Sequence, residues 1–221
     1  MLPPADLIAE ARSLNVELDE SQLAQLQHFV DLLVRWNRRS HLVSRHDIVR
    51  IWPRHVLDSL SIQPLIGGPE VLDLGSGGGL PGIPLAIATP GYAFTLLDRS
   101  ERKSRFLDQV VATLGLENVT VRCVDVVDLR AEYAATPLMD TIVARAVAPP
   151  ATLWHMAQAL LQESGEMVLM SAVCHAGARG DQDAVQRPAV PIGVDGLVQE
   201  RHQMDIPGID QQHEVLVVRK A

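Results

Sequence analysis

The chain has 221 residues, an apolar fraction of 47% and a formal net charge of −8. This length is sufficient for one sizeable α/β domain with an extension, and the apolar fraction excludes wholesale disorder. The negative charge argues against a general nucleic-acid binder with a large basic surface, and the two cysteines, Cys123 and Cys174, lack the spacing of a zinc site or a disulfide framework.

The N-terminal third is predicted to be helical. Apolar residues at helical spacing predict helices over 5–14 and 19–36, and the pattern returns over 55–65. The stretch between the second and third helices is too polar for a core helix. Because no linker separates this third from the rest, residues 1–66 are expected to be an N-terminal helical extension of one domain whose core is 67–221.

From residue 70 the pattern changes to alternating strands and helices, which predicts a parallel sheet with right-handed crossovers. The expected strands are 71–74, 94–97, 119–124, 141–144 and 166–171, with a late hairpin-like pair near 197–202 and 214–219. The expected helices between them are 84–88, 101–114 and 150–161. The segment 175–191 carries Gly, Gln and Pro and is predicted to be a mobile loop or a poor helix.

The stretch V-L-D-L-G-S-G-G-G-L-P-G-I-P, over 71–84, predicts a ligand site. A short apolar strand ends in glycines (Gly75, Gly77, Gly78, Gly79) that permit a sharp turn and let a ligand lie against the backbone. A helix that begins at such a turn directs free N–H groups and a positive dipole end at the ligand. Strand, glycine turn and helix together indicate a nucleotide-cofactor site.

Two cofactor classes fit this turn. Gly77, Gly79 and Gly82 have the G-x-G-x-x-G spacing of a dinucleotide site, which is a weak signal by itself. The letters D-L-G-S-G-G-G, which begin at Asp73, resemble the D/E-x-G-x-G-x-G signature of S-adenosylmethionine (SAM) methyltransferases. That resemblance implies that the turn packs against the methionine part of SAM. It also implies a Rossmann-like, seven-stranded class I SAM-dependent methyltransferase fold, parallel with one antiparallel edge insertion.

Acidic residues follow the next two strands. Asp98 ends the second strand, at the distance from the glycine turn where an acid meets ribose hydroxyls. A carboxylate accepts two hydrogen bonds, which suits a vicinal diol; its alternative role is the N-cap of the next helix, which Ser100 can supply instead. Asp125, Val126 and Val127 follow the third strand, where related folds place adenine. Asp125 can accept from the adenine amino group, and Val126 and Val127 offer backbone N–H groups and an apolar wall.

Arg145 ends the fourth strand, at the mouth of the crevice where substrates bind in such sheets. Its guanidinium can pair with a phosphate or with the methionine carboxylate. Its alternative partners are the side chains of Asp73 and Asp140.

Other polar residues give weaker signals. His41, His46, His55 and Asp58 lie in mixed-polarity sequence that does not align them, so we assign no metal site and no acid–base catalyst. Basic residues crowd two stretches and can grip phosphates if both lie on the cofactor face; solvated helix faces are the alternative. These two clusters are Arg35, Arg38, Arg39, Arg45, Arg50 and Arg54, and Arg99, Arg102, Lys103 and Arg105.

Several stretches together resemble the glucose-inhibited division protein B family, the bacterial small-subunit rRNA guanine-N7 methyltransferases. They are W-N-R-R-S-H-L-V-S, R-H-V-L-D-S-L, the glycine stretch with its L-P-G-I-P extension, F-T-L-L-D-R-S-E-R-K-S-R-F-L, L-E-N-V and A-R-A-V-A. They occur in family order between Trp36 and Ala148. With the signature above, the resemblance implies a cofactor site comprising Asp73, Gly75, Gly77, Gly79, Leu80, Asp98, Val126, Val127 and Arg145.

The chain departs from the family pattern at two places. Asp125 and Val127 stand where the family has an arginine and, two residues later, a glutamate. Ser171 and Ala172 stand where the family has Lys-Gly after the fifth strand. Loss of a cation there weakens contact with RNA phosphate or with the substrate base.

The implied activity is transfer of the SAM methyl group to guanine N7 in 16S rRNA. Guanine N7 carries an in-plane lone pair, so catalysis requires alignment of nucleophile, methyl and sulfur rather than a general base. The implied partner is 16S rRNA or the small ribosomal subunit, including an assembly intermediate. We expect a cytoplasmic monomer with no membrane association and no metal. Methylation of a small molecule or a protein, and NAD-dependent oxidoreduction, remain alternative functions.

Overall fold

The computed structural model describes residues 3–44, 47–133, 138–170, 193, 196–210 and 212–221. The helices are α1 (Leu7–Ser13), α2 (Glu20–Ser40), α3 (Asp58–Leu60), α4 (Gly82–Ala88), α5 (Glu101–Leu114), α6 (Val126–Glu132) and α7 (Pro150–Ala157). The strands are β1 (Glu70–Leu74), β2 (Ala93–Leu97), β3 (Val119–Arg122), β4 (Met139–Arg145), β5 (Leu161–Met170), β6 (Leu197–Met204) and β7 (His213–Lys220). A π-helical turn, Trp52–Leu57, leads directly into α3.

The seven strands form one sheet in the order β3-β2-β1-β4-β5-β7-β6. Strands β1 to β5 are parallel, whereas β7 is antiparallel to both β5 and β6. The chain reverses its direction across the sheet between β3 and β4, so the carboxyl ends of β1 and β4 flank a crevice. The predicted parallel sheet with an antiparallel edge is confirmed.

Apolar side chains cover both faces of the sheet, as a parallel sheet with helices on either side requires. Alternation along β1 sends Val71 to one face and Leu72 to the other. The first face packs against α2, α4 and α5, with Phe29 and Phe106 fully buried; the second packs against α6 and α7, with Trp154 at its centre.

Helix α2 connects the N-terminal segment to the sheet. It begins with a capping box, in which the Asp19 carboxylate accepts from the Gln22 N–H and the Gln22 side chain accepts from the Asp19 N–H. Its start lies near the end of α5, because the Gln25 amide donates to the Leu114 carbonyl at 3.2 Å. Further along, Trp36 packs on Phe106 with ring centroids 5.5 Å apart. Helices α2 and α5 are therefore antiparallel, and the end of α2 lies beside the start of α5.

The structure differs from the sequence prediction at several boundaries. Helix α2 continues through the polar residues to Ser40, because Arg38 and Arg39 project into solvent and Asn37 bonds to the backbone of Val43 after the helix. Helix α7 ends at Ala157 and β5 begins at Leu161, five residues before the predicted strand. Helix α6 was not predicted. The segment 175–191 and the departures at Ser171 and Ala172 lie outside the described residues.

None of the described helices is both long enough and apolar enough to cross a bilayer.

Candidate functional site

A cavity of about 660 Å³ opens at the carboxyl edge of the sheet. This volume is within the range of small-molecule and cofactor sites. The glycine turn after β1, the ends of β2 and β4, the start of α6 and the first residue of β7 all contribute to its lining, as does the loop after α2.

The turn after β1 lies where the sequence predicts it. Gly75, Gly77 and Gly79 have φ angles of 76°, 56° and 78°, which favour glycine. A Cβ added to Gly77 meets nothing closer than the Gly75 carbonyl at 3.7 Å, whereas one added to Gly75 falls 2.7 Å from Val147. Gly77 therefore presents bare backbone to the cavity, and Gly75 allows the loop after β4 to pack closely.

The buried side chain of Asp73 stabilises the glycine turn. Its side chain is fully buried, and its Oδ2 accepts a hydrogen bond from the Gly82 N–H at 2.9 Å. Burial raises the pKa of Asp73 to about 7, partly offset by the Gly82 hydrogen bond. Asp73 does not line the cavity. Its position indicates a structural contribution to the turn rather than direct contact with a ligand in this conformation.

Asp98 connects the ends of β1 and β2. One carboxylate oxygen accepts from the Gly77 N–H at 3.0 Å and from Lys103 Nζ at 3.3 Å. The other accepts from the Ser100 N–H at 2.9 Å. Asp98 is 6% exposed and lines the cavity, so this carboxylate both supports the start of α5 and faces the ligand space.

The residues after β3 have a different local structure from the one predicted. Asp125 is the N-cap of α6, and its carboxylate accepts from the Val127 N–H at 3.0 Å. Val126 is buried and lines the cavity with Asp125. Val127 is 62% exposed and does not line the cavity. Its backbone N–H, predicted to meet adenine, is bound to Asp125 in this conformation.

Arg145 lies at the cavity wall and pairs with neither of the two aspartates considered from the sequence. Its Nη1 donates to Oδ2 of Asp58 at 3.4 Å. The other oxygen of Asp58 lies 2.6 Å from Nδ1 of His213. These three side chains come from β4, α3 and β7, and all line the cavity.

His55 lies beside this group on the π-helical turn and also lines the cavity. Its ring nitrogens are buried and accept or donate no hydrogen bond within the described part of the chain. Burial and, secondarily, the positive charge of Arg145 lower the pKa of His55 to about 4, so the ring is neutral at pH 7.

Exposed arginines lie on the two helix ends that flank the cavity, and one of them, Arg99, lines it. We define the cationic rim as Arg38 and Arg39 at the end of α2 together with Arg99 and Arg102 at the start of α5. All four are exposed, and none forms an ion pair with another described residue. The antiparallel packing of α2 on α5 brings them to the same end of the molecule, where Arg99 and Lys103 line the cavity. Arg45 of the first predicted cluster lies outside the described residues.

Asn37 fixes the position of the residues that directly follow α2. Asn37 bonds to the backbone of Val43 in both directions, with its amide donating at 3.0 Å and its carbonyl accepting at 2.9 Å. This brings Leu42 and Val43 to the cavity wall, where Leu42 packs near Gly78.

The structure thus brings six of the nine predicted cofactor residues to one cavity. These are Gly75, Gly77, Leu80, Asp98, Val126 and Arg145. Asp73, Gly79 and Val127 do not line it. Sequence reasoning missed Asp58 and His213 as site residues. The H-x-x-D spacing of His55 and Asp58 was visible, but its partner His213 lies 155 residues away from Asp58.

Comparison with known proteins identifies close relatives. The family model described as rRNA small subunit methyltransferase G matches residues 22–186. Two relatives named ribosomal RNA small subunit methyltransferase G have similar length. The one from Laribacter hongkongensis is 36% identical over 96% of this chain and 95% of its own. The one from Nitrosococcus oceani is 38% identical over 93% of this chain and 90% of its own.

Solved structures show the same fold at lower identity. An O-methyltransferase from Bacillus cereus in complex with SAH matches with a TM-score of 0.61 at 16% identity, covering 97% of each chain. The O-methyltransferase TomG from Streptomyces achromogenes in complex with SAM matches with a TM-score of 0.59 at 16% identity, covering 98% of this chain and 96% of its own. The Rossmann-like class I methyltransferase fold is confirmed.

Proposed function

Because the chain belongs to the rRNA small subunit methyltransferase G family, we propose that it transfers a methyl group from SAM to N7 of a guanine in 16S rRNA. The structural observation that supports this proposal is that the glycine-turn cavity opens beside the cationic rim. A cofactor pocket and an RNA-backbone surface then meet at one edge of the sheet.

The residues present fit SAM. Bare backbone at Gly77 leaves space for a ligand, and the buried Asp98 carboxylate faces that space from the end of β2. Asp98 would hold the ribose hydroxyls, and the Arg145 guanidinium would hold the methionine carboxylate. Val126 would pack against adenine. When bound, SAM supplies an electrophilic methyl group on a sulfonium.

The protein's contribution to the reaction is alignment and exclusion of water. Guanine N7 needs no deprotonation, so the chain requires no general base. His55 is neutral at pH 7 and adds no positive charge near the sulfonium. The loop after β4, in which Ala146 and Val147 line the cavity and Val147 packs near Gly75, would help to exclude water from the reacting groups.

The cationic rim would hold RNA phosphates while the target base enters the cavity. RNA recognition favours unstacked bases in loops and single strands. The net charge of −8 is compatible with this because the four arginines of the rim are exposed and form no ion pair with another described residue. We propose 16S rRNA, free or in the small subunit, as the partner, with the protein acting as a cytoplasmic monomer.

Methylation of rRNA by the purified protein tests this function directly. The protein, 16S rRNA or small subunits, and methyl-labelled SAM are incubated, and nuclease digests are examined by mass spectrometry for 7-methylguanosine. We expect one labelled 7-methylguanosine per rRNA, which should be missing from rRNA of a strain lacking this gene. Unchanged 7-methylguanosine in that strain, with no transfer in vitro, would reject the proposal.

A further inference from the structure

Asp58 and His213 form a buried pair on a wall of the cavity that the proposed mechanism leaves unused. The Asp58 Oδ1 to His213 Nδ1 distance is 2.6 Å, and the two side chains are 7% and 6% exposed. The remaining oxygen of Asp58 accepts from Arg145 at 3.4 Å. Because both Asp58 oxygens have partners, the carboxylate has a fixed orientation.

This pair determines which nitrogen of His213 carries the proton. An ionised carboxylate only accepts hydrogen bonds, so Nδ1 carries a proton, and the tautomer that Asp58 selects is the one with Nε2 unprotonated. Nε2 then carries a lone pair. It is buried and has no hydrogen-bond partner in the described ranges, although the ring lines the cavity. A buried acceptor without a partner is unfavourable unless a ligand supplies a donor.

The sheet order places His213 on the side of the cavity remote from Gly77 and Asp98. Gly77 and Asp98 follow β1 and β2, whereas His213 begins β7, which lies two strands beyond β4 in the opposite direction. At about 4.8 Å per strand, β7 is roughly 10 Å from β4. Arg145, at the end of β4, lies between the two sides, so the space beside His213 is left for the methyl acceptor.

We infer that His213 Nε2 accepts a hydrogen bond from an N–H group of the target base, and that Asp58 is the positioning residue that keeps this nitrogen an acceptor. The inference rests on the proposed function and concerns how the base is recognised. Guanine carries two donors, N1–H and the exocyclic amine, on the edge remote from N7, whereas adenine presents an acceptor at N1. The pair therefore favours guanine with N7 turned towards the cofactor side.

The same contact strengthens during methyl transfer. The N7 lone pair forms the new N–C bond while the S–C bond breaks and its electrons remain on sulfur. No proton leaves, so the base becomes positively charged and its N–H groups become better donors. A fixed acceptor at His213 then binds the transition state more tightly than the bound base, which raises kcat as well as lowering KM.

Three variants test the inference. His213→Phe keeps a ring but removes the acceptor. Asp58→Asn keeps the shape of the Asp58 side chain but reverses the tautomer of His213. Arg145 keeps the amide oxygen as its acceptor, so the amide N–H faces Nδ1 of His213. The ring proton of His213 then moves to Nε2. His202→Phe, on β6 and outside the cavity lining, is the matched control.

We expect His213→Phe and Asp58→Asn each to lower kcat/KM for 16S rRNA by about 10- to 100-fold, with the control unchanged. Calorimetry should give a Kd for S-adenosylhomocysteine within about threefold of wild type for His213→Phe. Nitrogen-15 NMR of the histidine rings should show the His213 proton on Nδ1 in the wild type and on Nε2 in Asp58→Asn. This tautomer readout does not depend on activity.

Base analogues identify the contacted donor. RNA carrying inosine at the target lacks the amine, and RNA carrying 2-aminopurine lacks N1–H. One of these substitutions should be non-additive with His213→Phe, because both remove the same hydrogen bond. Additive losses with both analogues would overturn the inference, as would a His213→Phe variant that loses S-adenosylhomocysteine affinity instead of RNA turnover.

These outcomes are separable from those of the proposed function. A wild-type protein that methylates rRNA normally while His213→Phe does the same overturns only the recognition role. A wild-type protein that forms no 7-methylguanosine overturns the proposed function, and the recognition role with it.

Discussion

The carboxylate of Asp98 accepts a hydrogen bond from the backbone N–H of Gly77 at 3.0 Å. Asp98 is the acid predicted to bind the ribose, and Gly77 is the glycine predicted to lie against the cofactor. These two residues therefore contact each other directly. This contact fixes the glycine turn relative to the end of β2, so the turn and the acid act as one preorganised element.

Substitution of Gly77 by valine should abolish SAM binding without a matching loss of stability. Gly77 lines the cavity and a Cβ there meets open space, so a branched side chain would occupy ligand space. Valine also strains a backbone with φ 56°. We expect the calorimetric Kd for SAM to rise by more than about 100-fold, equivalent to roughly 3 kcal/mol.

Gly115 supplies the control for that strain. It has φ 63°, nothing lies within 4 Å of an added Cβ, and it caps the far end of α5. Gly115→Val should lower the thermal midpoint as much as Gly77→Val but leave SAM affinity unchanged. Equal SAM affinity in both variants would contradict the placement of the cofactor at the turn.

Asp98→Ala should weaken SAM binding and also destabilise the fold. The substitution removes the proposed ribose acceptor and leaves the Gly77 and Ser100 N–H groups without their carboxylate partner. We expect the Kd to rise about 10- to 100-fold and the free energy of unfolding to fall by about 1–3 kcal/mol. Isothermal titration and urea unfolding measure the two effects.

A deoxy ligand separates these two contributions. The wild type should bind the 2′-deoxy form of S-adenosylhomocysteine more weakly than the ribose form, and Asp98→Ala should bind both equally. If the variant still discriminates between them as strongly as the wild type does, Asp98 does not contact the ribose.

The titrations of Asp73 and His55 should change the free energy of unfolding in opposite directions as the pH rises. The pKa of Asp73 is raised from 3.8 to about 7, so between these values the native state holds a proton that the unfolded state has lost, and stability falls as pH rises. The pKa of His55 is lowered from 6.5 to about 4, so in that window the unfolded state holds the extra proton, and stability rises with pH.

These two slopes oppose each other, and single variants should reveal each one. Relative to wild type, Asp73→Asn should gain stability as pH rises from 4 to 7, whereas His55→Leu should lose it as pH rises from 4 to 6.5. The double variant should return towards the wild-type profile. Urea unfolding at a series of pH values measures this, and an Asp73→Asn profile parallel to wild type would show that Asp73 is ionised throughout.

Neutralising the cationic rim should weaken RNA binding and reduce its dependence on salt. Each arginine that contacts a phosphate contributes about 0.7 to the slope of log K against log salt for single-stranded RNA. Replacing Arg38 and Arg102 with glutamine should therefore lower that slope by roughly 1.4, with SAM affinity unchanged. Filter binding of a 16S rRNA fragment at several salt concentrations measures the slope.

Arg12→Gln is the matched control. Arg12 is an exposed arginine on α1, is paired with Glu17 and does not line the cavity. Its replacement should leave the slope unchanged. An equal reduction by Arg12→Gln would show that RNA responds to total charge and has no preferred surface.

The sequence predicts secondary structure most accurately where that structure depends on residues close together along the chain. The bounds of α5, Glu101–Leu114, agree with the prediction because periodic apolar residues lie between Ser100 and the left-handed Gly115. The glycine turn was equally predictable, since its φ angles are set by residue type. Helix α6 was missed because it has only seven residues, and its N-cap, Asp125, was interpreted as an adenine contact.

The opposite wall of the cavity could not be predicted in this way. Asp58, Arg145 and His213 are separated by 87 and 68 positions along the chain, and no local pattern indicates that they meet. Only the antiparallel insertion of β7 beside β5 brings His213 to the carboxyl edge of the sheet. The identity of the partner of Arg145 therefore required the folded structure.

The position of β7 between β5 and β6 also governs when the protein becomes competent during its own synthesis. Strands β1 to β4 and the glycine turn emerge from the translating ribosome first, but His213 and the edge it completes emerge only after every other strand. A nascent chain halted before that point has an open crevice and an unsupported Asp58. This wall of the pocket therefore forms only once the last of the described strands has been synthesised.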